Sequence, residues 1–209
     1  GYNCIAAHCN FHLRGEESNR DEKFVSDYCL NRQIKLLSVS FDTYSYMEEK
    51  SISLEMAARE LRYNWFSQIM KENSADYLAV AHHQDDSVET VLINLIRGTG
   101  IRGLTGIPAI NGYVVRPLLC LNRDEITDYL SEHRIPFVED STNAEDQYLR
   151  NKIRLNIIPL IEEINPSFKS SVTRTSAILS EVERVYTSYI NTEIHRLFDG
   201  EKISITGLL

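Results

Sequence analysis

A chain of 209 residues, 43% of them hydrophobic, can bury a real core and suits one α/β domain plus a piece of a second, which excludes a disordered segment. The net charge of −8, from 22 basic and 30 acidic residues, argues against a globally polyanion-binding surface, so any nucleic-acid role needs a local basic face. No run of about 18 apolar residues and no signal peptide is legible, so no membrane partner is expected. The four cysteines (Cys4, Cys9, Cys29 and Cys120) form no CxxC pair and read as thiols of a reducing cytoplasm.

Taken in chain order, Cys4 to His8 reads as a short strand, followed by a polar loop from Asn10 to Ser18. Residues Glu17 to Arg32 predict a helix with Phe24, Val25, Tyr28 and Cys29 on one stripe, and Lys35 to Phe41 a second strand. Leu54, Ala58, Leu61, Trp65 and Ile69, spaced by three and four, predict a helix over Leu54 to Lys71. A third strand, Tyr77 to Ala81, leads into a helix from Asp85 to Ile96, with Val88, Val91, Leu92 and Leu95 on its apolar face. Val114 to Pro117 reads as extended. Asn122 to Glu132 reads as a helix opened by a capping box of Asn122 and Glu125.

Alternating strands and helices predict an α/β fold, a doubly wound parallel sheet with helices on both faces, followed by a C-terminal helical segment. The expected domains are residues 1–160 and 161–209. After a polar loop from Glu139 to Asn143, Tyr148 to Ile161 reads as helical, and Asn165-Pro166 as a cap and first position of a long helix reaching Leu197. Its stripe of Ile178, Val182, Val185 and Tyr189 calls for domain packing or a homodimer. The tail from Lys202 to Leu209 reads as the start of another element.

The chemistry concentrates in Ala81-His82-His83-Gln84-Asp85-Asp86-Ser87-Val88-Glu89-Thr90, which holds two histidines and three carboxylates where an apolar strand gives way to a helix. In open α/β sheets ligands bind at such junctions. His82 and Asp86, Asp85 and Glu89, and Asp86 and Glu89 stand three or four apart, so they share a helix face. Three like charges crowded together need a cation or strong hydrogen-bond partners, and Mg²⁺ bridging carboxylates and phosphate would serve. First-turn acids that favour the helix dipole are the bland alternative.

In the stretch Arg97-Gly98-Thr99-Gly100-Ile101-Arg102-Gly103, glycines end the helix and allow close approach of another group. It is no P-loop, since the GK[ST] ending is missing. Arg59 and Arg62 share a face of the second helix, Arg116 sits at a strand end, and Arg150 and Arg154 share a face further on. The first pair reads as a solvated face, Arg116 could reach the same crevice, and Arg150 with Arg154 reads either as solvated surface or as a phosphate clamp.

Six pieces in register resemble the tRNA(Ile)-lysidine synthetase family of N-type ATP pyrophosphatases. They are Ala58-Arg59-Glu60-Leu61-Arg62, the H-H-x-D-D-x-x-E-T run from His82 to Thr90, R-G-T-G from Arg97, R-P-L-L from Arg116, E-D-x-[ST]-N from Glu139 and L-R-N-x-I-R from Leu149. The segment His8 to Arg14 is similar to the family's V-D-H-G-L-R turn, with Asn10 and Phe11 where Asp and His are usual. The family's phosphate loop, S-G-G-x-D-S, occurs nowhere in these residues. The expectation is therefore a chain lacking its N-terminal strand and loop, and inactive by itself.

The resemblance implies an adenine nucleotide alpha hydrolase-like, Rossmann-like fold and a ligase. ATP would adenylate the C2 oxygen of the wobble cytidine of a tRNA(Ile) with a CAU anticodon, and the ε-amine of free L-lysine would then displace AMP. In this reading His82, Asp86, Arg62 and Arg154 stand at the catalytic centre, Arg59, Arg97, Gly98, Gly100 and Arg150 around ATP, and Asp85, Asp86 and Glu89 on Mg²⁺, with Asp85 and Glu89 alternatively selecting the lysine ammonium. Competing readings are a tRNA thiolase, a metal-dependent phosphoesterase and a non-catalytic RNA-binding module. The absence of CxxC counts against the thiolase.

Overall fold

A computed structural model of the chain describes residues 2–139 and 149–198. The expected polar loop at residues 140–143, Tyr148 and the tail from Lys202 lie outside them. The chain divides into two compact units at Leu78–Ala79.

The first unit is built on β1 (Ile5–Asn10) and β2 (Lys35–Ser40), connected by α1 (Glu16–Asn31). The strands pair in parallel, Ile5 opposite Lys35 through Asn10 opposite Ser40, as a strand–helix–strand unit requires. Asn10 ends β1 almost sealed, at 2% exposure. Its amide donates to Glu22 Oε2 at 2.8 Å and its Oδ1 accepts the His12 N–H at 2.9 Å. His12 stands where the similar family turn has glycine, and its φ of +52° is the left-handed conformation glycine adopts without cost. Two helices follow, α2 (Thr43–Lys50) and α3 (Leu54–Glu72). Asp42 caps α2 by accepting the Ser45 N–H at 3.0 Å, and Ser53 caps α3 by accepting the Met56 N–H at 3.3 Å. Ala57, Ala58 and Phe66 are the buried residues of α3.

The third strand is shorter than its sequence promised: β3 covers Leu78–Ala79. It joins β4 (Ile110–Asn111) and β5 (Val114–Val115) in the order β3-β5-β4, with β4 and β5 antiparallel around a turn in which Gly112 has φ +59°. The described strands thus form two small sheets instead of one continuous parallel sheet, with parallel pairing established between β1 and β2.

The second unit centres on α4 (Gln84–Ile96). Val88, Leu92 and Ile93 of α4 form one cluster with Ile153 and Ile158, and Phe168 and Val172 pack against it. Ile153 and Ile158 belong to an interrupted helix: α6 (Leu149–Lys152), a π turn over Ile153–Ile157, then α7 (Ile158–Ile164). Pro159 has no N–H for the carbonyl of Leu155, so the regular ladder fails and the backbone widens there. Between α4 and α6, a 3₁₀ turn covers Ile101–Leu104, and α5 (Arg123–Glu132) opens with the expected box: Asn122 Oδ1 accepts the Glu125 N–H at 2.9 Å and Glu125 accepts the Asn122 N–H at 2.8 Å.

The last helix, α8 (Phe168–Leu197), starts later than expected. Asn165 does not cap it. Its side chain accepts the Ser167 N–H at 3.1 Å in the turn after α7. α8 packs along α4. Ile178, Val182, Val185 and Tyr189 are exposed along its outer face. Among the described residues, no helix is long and apolar enough to cross a membrane.

Gly106 holds the loop after the 3₁₀ turn against α4. Its φ is +74°, and a Cβ built there would lie 2.4 Å from Ser87 Oγ, which accepts the Ile107 N–H at 3.0 Å. Gly106→Ala is expected to lower stability by about 1–3 kcal/mol in chemical denaturation, through backbone strain and loss of that bond. An unchanged midpoint would show that the loop yields freely.

Candidate active site

The core that joins Val88 of α4 to Ile153 also builds the site, because each core residue has a charged neighbour in sequence. Val88 is followed by Glu89 and Ile153 by Arg154. Burying the apolar pair brings the charged pair together. Glu89 is completely buried and receives Arg154 as a fork: Nε to Oε1 at 2.6 Å and Nη2 to Oε2 at 3.1 Å. One turn earlier, Arg150 lies 3.8 Å from Glu89 Oε2 and 3.7 Å from Asp86 Oδ1, and its Nη2 donates to Thr90 Oγ1 at 3.3 Å. Arg154 Nη2 lies 3.6 Å from Asp86 Oδ1. Asp86 also accepts the His83 N–H at 3.0 Å, closing the first turn of α4.

Asp85 points elsewhere. Its Oδ1 meets Lys169 Nζ of α8 at 3.0 Å, and its Oδ2 accepts the Arg123 N–H of α5 at 2.8 Å. His83 bridges the two aspartates, Nδ1 at 3.4 Å from Asp85 and Nε2 at 3.5 Å from Asp86. The His83 contact, then Lys169 and the Arg123 N–H, hold the Asp85 carboxyl far below its ordinary range. Asp85 in turn raises the His83 pKa. Its bond to Glu89 raises the Arg154 pKa. Burial pulls Lys169 down, but Asp85 more than offsets it.

Three carboxylates therefore face three permanent cations, Arg150, Arg154 and Lys169, with His83 adding positive charge when protonated. The repulsion that the sequence left unanswered is relieved from within the protein. As arranged, Asp85, Asp86 and Glu89 do not suit a shared Mg²⁺: Glu89 is sealed on Arg154 and both oxygens of Asp85 are engaged. Among the described residues, no group of three or more His, Cys, Asp or Glu side chains could hold a metal. What the arrangement can do is present arginine edges to an anion. Arg150 is 41% exposed at its side chain, while Glu89 beneath it is not exposed at all.

The other expected site residues divide. His82 is half-buried just ahead of α4. Arg97, Gly98 and Gly100 lie at the opposite end of α4, roughly 16 Å along the axis from Asp86 at 1.5 Å per residue. Gly98 has φ +74° and donates its N–H to Leu95, so it ends the helix. Arg59 and Arg62 belong to the first unit, on α3, where Arg59 stacks over Tyr63 at 4.8 Å and Arg62 over Phe11 at 5.1 Å. Sequence reasoning missed His83 and Lys169. The cap position of His83 was a usable signal, whereas nothing in the sequence ties Lys169 to a residue so far away.

Residues 1–161 match the PP-loop domain model. The chain is 37% identical over 220 residues to a tRNA(Ile)-lysidine synthase of Petrotoga mobilis, covering all of this chain and 70% of that protein. The chain belongs to the PP-loop family, in its tRNA(Ile)-lysidine synthase group. It is 59% identical to the tRNA(Ile)-lysidine synthase of Bacteroides thetaiotaomicron and 53% identical to that of Parabacteroides distasonis, in both cases across the whole chain. It spans about half the length of those two relatives, 49% and 48%. Among solved structures, the U34-tRNA thiolase NcsA of Methanococcus maripaludis, with its 4Fe-4S cluster, matches with a TM-score of 0.67 at 20% identity, over 86% of this chain and 62% of that one. That likeness shows the fold: the PP-loop domain is a Rossmann-like, adenine nucleotide alpha hydrolase fold, here followed by a helical region. PP-loop membership implies use of ATP.

The His83–Asp85 pair gives the PP-loop domain a pH signature. His83, raised, stabilises the fold fully below its ordinary value of 6.5 and loses that contribution as pH climbs through the raised value. Asp85, lowered, contributes above 3.8 and loses its share as pH falls through the depressed value. His83→Gln is expected to flatten the alkaline side of a stability-versus-pH curve and to weaken the acid limb, leaving the part that Lys169 and the Arg123 N–H supply to Asp85. Parallel curves for the two proteins would remove His83 from the network.

Proposed function

We propose that the full-length protein containing this chain is a cytoplasmic ligase joining free L-lysine to C2 of the wobble cytidine of a tRNA(Ile) with a CAU anticodon, with consumption of ATP. In the reaction proposed, the cytidine C2 oxygen bonds to the α-phosphorus of ATP and pyrophosphate leaves. The lysine ε-amine then bonds to C2, the C2–oxygen bond breaks, AMP leaves and the amine sheds its proton. The observation that carries this reading is the convergence of Arg150 and Arg154 on Asp86 and Glu89. It unites two of the family's motifs, far apart in sequence, in one charged site.

In this reading, buried Glu89 fixes the Arg154 fork, so its donors are set before an anion arrives and little reorganisation opposes the reaction. Arg150, more exposed, takes phosphate oxygens as they gain charge. Asp86 holds both arginines from the helix start, and Asp86 and His82 are assigned the proton that the attacking ammonium gives up. No magnesium ion is assigned to Asp85, Asp86 and Glu89, since these carboxylates are committed to the protein's own cations.

Labelled lysine should enter the tRNA when ATP and a CAU-anticodon transcript are both present, with pyrophosphate released. Sulfur incorporation in place of lysine would favour the thiolase. Burial pushes the Cys9 thiol up to about 11, Arg62 opposing it, which suits an inert cysteine better than a sulfur carrier.

A further inference from the structure

The carboxyl ends of β1 and β2 open into a recess of about 310 Å³ in the first unit, away from the α4 cluster in sequence. Phe11, His12, Phe41, Asp42 and Tyr44 line it. In open α/β sheets this end of parallel strands is where ligands sit. The volume is near the lower limit for small-molecule pockets, enough for one ring system and too little for a folded RNA element.

The walls are aromatic and already layered. The Phe11 and Phe41 rings stack with centroids 5.5 Å apart and planes 25° from parallel, and the Arg62 guanidinium lies 5.1 Å from the Phe11 centroid. Tyr44, at the first turn of α2, is 53% exposed. Asp42 is fixed at the rim by its bonds from the Ser45 N–H at 3.0 Å and the Ser45 hydroxyl at 2.7 Å. A fixed carboxylate repels phosphate and accepts from an amino group. His12 is held beside it at φ +52°, a strained conformation of the kind kept where the surroundings demand it.

We propose that this recess receives a single unstacked nucleobase of the RNA substrate, an amino-bearing base such as cytosine or adenine, stacked on Tyr44 and the phenylalanine layer with its exocyclic amine toward Asp42. Bases splayed from single-stranded loops are recognised in this manner, by aromatic faces and by groups on the base edge. The inference rests on the tRNA reading above and adds to it a contact outside the α4 cluster.

The test uses the full-length protein and a fluorescently labelled anticodon stem-loop RNA with a CAU loop, read by anisotropy. Tyr44→Ala should weaken binding by about tenfold or more, the range measured for losing one stacked base, while Tyr44→Phe keeps wild-type affinity. Thermal melting of both variants checks that they fold, which an exposed side chain should allow. Wild-type stem-loop affinity in Tyr44→Ala overturns the proposal. So does an affinity loss for ATP with the RNA affinity unchanged, which would assign the recess to adenine of the nucleotide. Lysine incorporation by the wild type, run alongside, separates the two ideas: Tyr44-dependent RNA binding without lysidine would leave the recess standing and remove the ligase.

Discussion

Arg154→Met is expected to lower the stability of the folded protein by about 3 kcal/mol and to abolish lysine transfer. The cost does not come from losing a surface ion pair. Glu89 is fully buried, and both of its oxygens are engaged by the Arg154 fork. Methionine fills much of the same volume but leaves a carboxylate sealed beside Val88 with only Arg150, at 3.8 Å, to answer it. Combining Arg154→Met with Glu89→Gln removes the stranded charge and should recover much of the stability but none of the activity. Lys152→Ala, two residues away and exposed, should stay within about 0.5 kcal/mol of wild type and remain active. Chemical denaturation of the four proteins decides the matter. Equal midpoints for Arg154→Met and Lys152→Ala would show that the fork carries no energy.

Asp86→Asn should be as damaging to chemistry but mild for folding. Asparagine keeps an oxygen for the His83 N–H, so the start of α4 survives and the stability change should stay within about 1 kcal/mol. The charge that lies 3.6 Å from Arg154 and 3.7 Å from Arg150 disappears, and the arginines lose their common anchor. Misplacing groups that must meet a reacting phosphate by a fraction of a bond length costs on the order of 10²-fold or more in rate. The expected readout is a kcat lower by that factor at an unchanged melting temperature.

Much of this architecture was legible beforehand, and the misses have physical reasons. The stripes of α3 and α4 carry an unambiguous period, so both helices fall within a few residues of expectation. The helix α2 escaped because Thr43–Lys50 has almost no apolar stripe; only Asp42, three residues ahead of Ser45, announces it. The hairpin of β4 and β5 escaped as well, because its strands are two residues each, joined at Gly112-Tyr113 with Gly112 at φ +59°. At the site, residue identity was easier to read than role. Asp85, Asp86 and Glu89 looked like three equivalent acids on one face, but burial makes each different: Glu89 supports the fork, Asp86 joins both arginines, and Asp85 ties α4 to α5 and α8. Lys169 could not have been placed, because only the packing of α8 along α4 brings it to Asp85. Gly98 ends α4 as its place in the sequence predicts, at the far end of that helix from Asp86.

The proposed function requires the arginine pair, set by the α4 carboxylates, to serve lysine transfer to a tRNA. Nucleoside mass spectrometry of a CAU-anticodon tRNA(Ile) incubated with the full-length protein, ATP and lysine measures that directly. Lysidine should form with the wild type and fall by two orders of magnitude with folded Asp86→Asn. Absence of lysidine with the wild type, or its undiminished formation by Asp86→Asn, would contradict the account.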